Sequence, residues 1–189
     1  MTGPGQAGSV LLSSTELAAI VDRLGRGITH DHPDGLVLVG LLKGSVCLVA
    51  DLARSISAPC AVDFLALAPY GASGQRVALS KDLDVDVAGR AVVIAVDIVD
   101  SGLTVSYVRR LLTERGARSA DVCALLDRRV RRLLPVDLRY VGRVIGDEYV
   151  VGYGLDLEER YRNLPALHAV DQNALRHADL ASVAELFRR

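Results

Sequence analysis

Cysteine is scarce, neither sign of charge dominates, and no apolar run is long and continuous enough to span a bilayer. The three cysteines, Cys47, Cys60 and Cys123, are odd in number, far apart and set among apolar residues. That argues against a disulfide framework or a cysteine-rich zinc site and predicts reduced, buried thiols. A formal net charge of −1 provides no general attraction to nucleic acid or to an anionic membrane. The run DRRVRR at 127–132 is locally basic and reads as a solvated strand end or a subunit face. The longest apolar stretch, 35–49, contains Lys43 and is split by Gly40 and Gly44, too interrupted for a membrane helix. The opening segment MTGPGQAG lacks the positive residue and apolar run of a secretory signal, so residues 1–12 read as a flexible lead-in and the protein is expected in the cytoplasm. His30 and His32 have metal-like spacing without accompanying ligands, and a surface loop is the reading. No repeat or low-complexity tract is visible.

What is present fits one domain of 189 residues with a substantial core. SSTE at 13–16 has capping-box spacing, and Leu17, Ile20, Val21 and Leu24 follow at helical intervals. LVLV at 36–39 is a short apolar run before Gly40, the mark of a buried strand, and helical spacing resumes over 46–52. Further strands are predicted at 61–66, 91–96, 121–126, 139–145 and 149–152, with a helix at 101–115 closed by Gly116. PYGASGQ at 69–75 collects turn formers and reads as a mobile loop. Leu180, Val183, Ala184 and Phe187 space out a terminal helix. The fold class is therefore α/β: a Rossmann-like parallel β-sheet flanked by helices, with its core at about 34–165. A small hood is expected from 13–30 together with 166–189.

In such a sheet, ligands bind beyond the carboxyl ends of the strands. The segment VVIAVDIVDSGLT at 92–104 places Asp97, Asp100, Ser101, Gly102 and Thr104 there. Hydroxyls, a glycine and the first amides of a helix make a cradle for a phosphate monoester. No Walker lysine accompanies it, which argues against nucleoside triphosphate hydrolysis. Two carboxylates just before the cradle suit a metal-bound, polyhydroxylated phosphate ester, with helix capping as the alternative role.

This segment resembles the motif of type I phosphoribosyltransferases that binds PRPP, 5-phosphoribosyl 1-pyrophosphate. LLKGS at 41–45, KDLD at 81–84, YVVGYGLD at 149–156 and Arg162 match the hypoxanthine (hypoxanthine-guanine) phosphoribosyltransferase family in order. The resemblance implies transfer of phosphoribose to N9 of hypoxanthine or guanine, with Mg²⁺, in purine salvage. It implies that Asp100 is the base acting on the purine N7 proton. Ser101, Gly102, Leu103 and Thr104 would hold the 5′-phosphate, and Asp97 would face PRPP and metal. Lys43 and Gly44, at a cis Leu42–Lys43 peptide, would bind pyrophosphate together with Arg162. Ile98, Arg128, Tyr149 and Val150 would line the base site, and Asp156 would hold a second Mg²⁺. Tyr70 would lie in the closing loop, and the assembly would be a homodimer or homotetramer.

Three positions depart from the family pattern. Val96 stands where an acid is usual, Arg128 where a lysine is usual, and Pro69 opens the loop where a serine is usual. These departures leave two other readings open: a purine-like acceptor such as a deazapurine, or a catalytically silent PRPP or nucleotide sensor.

Overall fold

The first described residues form a strand. The computed structural model describes residues 8–67, 79–176 and 186. Within these, Gly8–Leu12 forms β1, which pairs antiparallel with β9 (Leu167–Val170), and β9 pairs in turn with β8 (Tyr149–Val151). The lead-in expected over 1–12 is thus corrected for residues 8–12. Cross-strand pairing with a segment more than 150 residues away orders them, and local composition carries no trace of such a partner.

Helix α1 (Ser14–Asp31) starts where the sequence requires. The Ser13 hydroxyl accepts the Glu16 N–H while the Glu16 carboxylate accepts the Ser13 N–H, satisfying two otherwise orphaned donors. Its buried stripe of Leu17, Val21, Leu24 and Ile28 joins Leu38, Val93 and Leu125 in one apolar cluster. The helix therefore covers the main sheet beside α2 (Val46–Ser55), and the same cluster takes in Leu12, Val150 and Leu167 of β1, β8 and β9. Of the expected hood segments, 166–189 contributes β9 to a separate sheet of order β1-β9-β8.

The main sheet has the order β4-β3-β2-β5-β6-β7. Its members are β2 (Leu36–Leu41), β3 (Cys60–Leu67), β4 (Leu79–Lys81), β5 (Ala91–Val99), β6 (Ser119–Asp127) and β7 (Tyr140–Val144). All neighbours run parallel except β3 and β4. Strand β5 shows why both faces must be covered. Ala91, Val93 and Ala95 enter the cluster with α1 and α2, whereas Val92, Ile94 and Val96 enter a second cluster with Val105, Val108 and Leu112 of α3 (Leu103–Glu114). This double burial explains the unbroken apolar runs.

From β2 the chain moves one way to β3, and from β5 it moves the other way to β6 and β7. The two connections diverge between β2 and β5, and this is where a parallel sheet opens a crevice for ligands. The mobile loop expected at 69–75, with Tyr70, and the terminal helix built on Leu180, Val183, Ala184 and Phe187 lie outside the described residues.

Two smaller expectations change. His32 is buried at the end of α1, 3.3 Å from the Tyr140 hydroxyl and 3.5 Å from Asp121. Only Cys123 is fully buried, Cys47 and Cys60 being half-buried; all three are free, and burial raises the Cys123 thiol to about 12. Because the α1 capping box is complete, Ser13→Ala should lower stability by about 1 kcal/mol in urea unfolding with an unchanged m-value.

Candidate active site

The crevice at the β2/β5 divergence is a cavity of about 320 Å³, lined by Leu41, Leu42 and Gly44 on one side and by 96–102, Thr104 and Val105 on the other. Two loops build it. The first follows β2 and carries a cis Leu42–Lys43 peptide, as the resemblance implies. The second follows β5 and turns into α3 through Gly102, whose φ of 83° and crowded surroundings admit no side chain. A β-carbon there would meet the Leu134 carbonyl at 2.8 Å. At the start of α3, beside the cavity, the Ser101 hydroxyl accepts the Leu103 N–H at 3.3 Å. Hydroxyls and amides at a helix N-terminus provide a ready anion cradle.

Asp97 is the electrostatic oddity of the site. Its Oδ1 accepts the Ile98 N–H at 2.9 Å, while its Oδ2 occupies the space a β-carbon on Gly44 would need, 1.6 Å from that ideal position. Burial raises its pKa to about 6, against the opposing pull of the Ile98 N–H and the Arg162 charge. In the empty crevice the anion is poorly solvated and invites a cation.

The segment 149–162, β8 and the loop after it, completes the surroundings. Arg162 pairs with Asp156 at 2.8 Å and Glu159 at 3.3 Å and donates to the Gly154 carbonyl at 2.7 Å, while its buried Nε has no partner. Lys43 is exposed and pairs with Glu159 at 3.0 Å. Gly154 comes so close to the first loop that a β-carbon would lie 2.1 Å from the Gly44 carbonyl. Tyr149 donates its hydroxyl to the Asp156 carbonyl at 2.8 Å, and Val150 is buried in β8. Both Asp156 oxygens are engaged, one by Arg162 and the other by the Glu159 N–H. Leu103 projects outward and is exposed.

A family model described as "Phosphoribosyl transferase domain" matches residues 9–158. The hypoxanthine-guanine phosphoribosyltransferase of Mycobacterium avium is 43% identical over 178 residues, covering 89% of this chain and 88% of its own. The hypoxanthine phosphoribosyltransferase of Salmonella typhimurium is 44% identical, covering 82% and 91%. This chain belongs to the hypoxanthine-guanine phosphoribosyltransferase family. A crystal structure of such an enzyme from Bacillus anthracis superposes with a TM-score of 0.82 at 36% identity, covering 86% of this chain and 98% of that one.

The basic run 127–132 divides: Arg129, Val130 and Arg131 are exposed, as expected of a solvated strand end, and the other three residues turn inward. Asp127 is 2% exposed and Arg128 4%. Arg132 donates to the Asp100 carbonyl at 2.7 Å and the Val99 carbonyl at 3.2 Å, and is ion-paired with Asp127. The Ser101 carbonyl receives the N–H groups of Leu133 and Leu134, each at 3.0 Å. The run and the two leucines after it therefore hold the carbonyls of the loop between β5 and α3. Sequence reading missed Arg132, Asp127 and Glu159 as site residues. The one visible signal was the density of arginines directly after a strand. KDLD is likewise structural: Lys81 and the N–H groups of Asp84 and Val85 converge on the buried Asp63 carboxylate, and Asp82 pairs with Arg115.

Val96, which stands where the family usually has an acid, is buried in the α3-side cluster while bordering the cavity.

The raised Asp97 pKa sets the sign of a stability effect. The folded state holds the proton more tightly than the unfolded chain, so the favourable contribution is full below the ordinary carboxylate value and is lost as pH rises through about 6. Asp97→Asn should therefore stabilise the ligand-free protein by about 1–2 kcal/mol above pH 7, after discounting for solvent screening, and by little near pH 4. Thermal unfolding across that range tests it. A gain independent of pH would show that the charge is not the cause.

Proposed function

We propose that this chain transfers the 5-phosphoribosyl group from PRPP to N9 of a 6-oxopurine, hypoxanthine or guanine, and releases pyrophosphate, as a step of purine salvage. The observation that carries this reading is the meeting, in one cavity, of the α3 phosphate cradle, the Asp97 and Asp100 carboxylates and the cis-peptide loop at Gly44.

The roles follow from the chemistry. As the bond from C1′ to the pyrophosphate oxygen breaks, positive charge grows on the ribose ring while N9 forms the new bond to C1′. Ser101, Gly102, Leu103 and Thr104 hold the 5′-phosphate and so fix C1′ against the acceptor. Asp100 takes or shares the N7 proton as N9 attacks. Lys43, the Gly44 backbone and Arg162 receive the departing pyrophosphate. For Arg162 this means exchanging its pairs with Asp156 and Glu159 for phosphate oxygens, and its unpartnered Nε supports that reading. Ile98, Tyr149, Val150 and Arg128 form the base site.

Mg²⁺ fits the buried Asp97 carboxylate, whose anion lacks adequate solvation, and Asp156 offers a second carboxylate. Such ions are commonly held by one or two carboxylates plus substrate phosphates. When bound, the ion neutralises charge on the leaving group.

The working assembly is a homodimer or homotetramer in the cytoplasm, acting on small molecules without nucleic acid or membrane. Exposed Val130, Leu133 and Leu134 beside the phosphate loop support a protein contact there.

Steady-state assays with PRPP, Mg²⁺ and a panel of hypoxanthine, guanine, xanthine, adenine and deazapurines test the reading. Turnover should be highest with hypoxanthine or guanine, and Asp100→Asn should lower kcat by about 10²–10⁴ with a smaller effect on PRPP affinity. Preference for a deazapurine would move the assignment to a specialised acceptor. Tight PRPP binding without turnover of any base would replace it with a sensor.

A further inference from the structure

Arg128 leaves the end of β6 and is buried, yet it holds two acceptors at once. Its Nη1 donates to Asp100 Oδ2 at 3.1 Å and its Nη2 to the Glu148 carbonyl at 2.6 Å. The Glu148 carbonyl belongs to the segment between β7 and β8, directly before Tyr149. Asp100 is placed at its other end by the backbone: Arg132 fixes the Asp100 and Val99 carbonyls, and the Arg128 N–H donates to the Val99 carbonyl at 3.0 Å. Arg128 is the one described residue shown bonding to the Asp100 carboxylate. Asp100 Oδ1 and Arg128 Nε are both buried without partners.

We propose that Arg128 is a positioning residue for the reaction, a strut that sets the Asp100 carboxylate at a fixed distance from the base-site segment at Glu148 and acts through Asp100. The proposal rests on the reading of Asp100 as the base. A free aspartate rotates about two side-chain bonds, and a reacting proton must be met within hydrogen-bond reach. A planar guanidinium with its far side anchored restrains Oδ2 in direction as well as in distance. An ammonium, as a point donor on a flexible stem, would satisfy one acceptor without fixing the plane of the other. Because two of its nitrogens are already committed, Arg128 can meet the base with its Nε or by exchanging a partner, so its first effect falls on Asp100.

A double-mutant cycle in the full-length protein tests this, with kcat and the KM for PRPP and for hypoxanthine measured for Arg128→Met, Arg128→Lys, Asp100→Asn and the Arg128→Met/Asp100→Asn double variant. Thermal unfolding and the PRPP-induced shift in Tm verify the fold of each, and Arg128→Lys carries the test should Arg128→Met fail to fold. In the native background Arg128→Met should lower kcat about ten- to hundredfold and leave the KM for PRPP within about threefold, while Arg128→Lys restores part of the loss. In the Asp100→Asn background Arg128→Met should change kcat by less than about threefold, since the group it positions no longer functions. Equal losses in the two backgrounds, or a loss confined to the KM for hypoxanthine, would overturn the proposal and make Arg128 a direct base contact. Full activity of the Asp100→Asn single variant would instead remove the reading of Asp100 itself, an outcome told apart by that variant alone.

Discussion

Asp97 Oδ2 lies where a β-carbon on residue 44 would stand, and Gly154 presses on the carbonyl of that same residue. Three segments, at the ends of β2, β5 and β8, therefore meet at one point with only the Asp97 carboxylate between them. Close-packed interiors leave no slack at such a place, so the spacing of the cavity walls is set by backbone approach. The cost is a carboxylate held away from water, its pKa raised to about 6. A site whose acid is comfortable only when a cation or proton joins it favours the loaded state over the empty one, by the same linkage that makes ligand binding stabilise a fold.

The arginines after β6 solve the second problem of the site, which is to hold a loop that must present its own groups outward. A phosphate cradle spends its amides on the ligand and cannot also use them to hold itself in place. Here the holding is done through carbonyls: Arg132 takes those of Val99 and Asp100, and the Leu133 and Leu134 amides take that of Ser101. Asp127 offsets the charge of Arg132 in a buried pair. Such a pair adds little net stability but becomes costly when one member is removed, so it locks the geometry of the loop more than it strengthens the fold.

Much of the central sheet was legible because its signals are local. LVLV before Gly40, VVIAV before Asp97 and the capping box at Ser13 each declare an element within a few residues. The run at 96–102 that lines the cavity was legible for the same reason. The hood sheet was not: β1 and β9 are short, carry no clear alternation and exist through pairing with each other. The packing partners of α1 were not legible, because an amphipathic stripe shows that a face is buried and not what buries it. The inward bonds of Arg132 were not legible because net charge in a short window indicates solvation unless partners are known, and its partners are Asp127 and the Val99 and Asp100 carbonyls.

Val96 shows how a single position can be decided by two neighbours at once. On β5 its side chain alternates to the α3 face, where valines at 92, 105 and 108 share its cluster, so an apolar residue is what the packing favours. Yet its strand end also borders the cavity, where an acid would offer an acceptor to a sugar hydroxyl. A carboxylate here would have to be satisfied beside Asp97, which already lacks adequate solvation, and two such anions would repel at short range. With valine, the wall keeps one buried acid instead of two. Under the proposed phosphoribosyl transfer, recognition of a ribose hydroxyl would then rest on Asp97 and on backbone groups, while the orientation of the acceptor would fall more heavily on the Asp100–Arg128 pair.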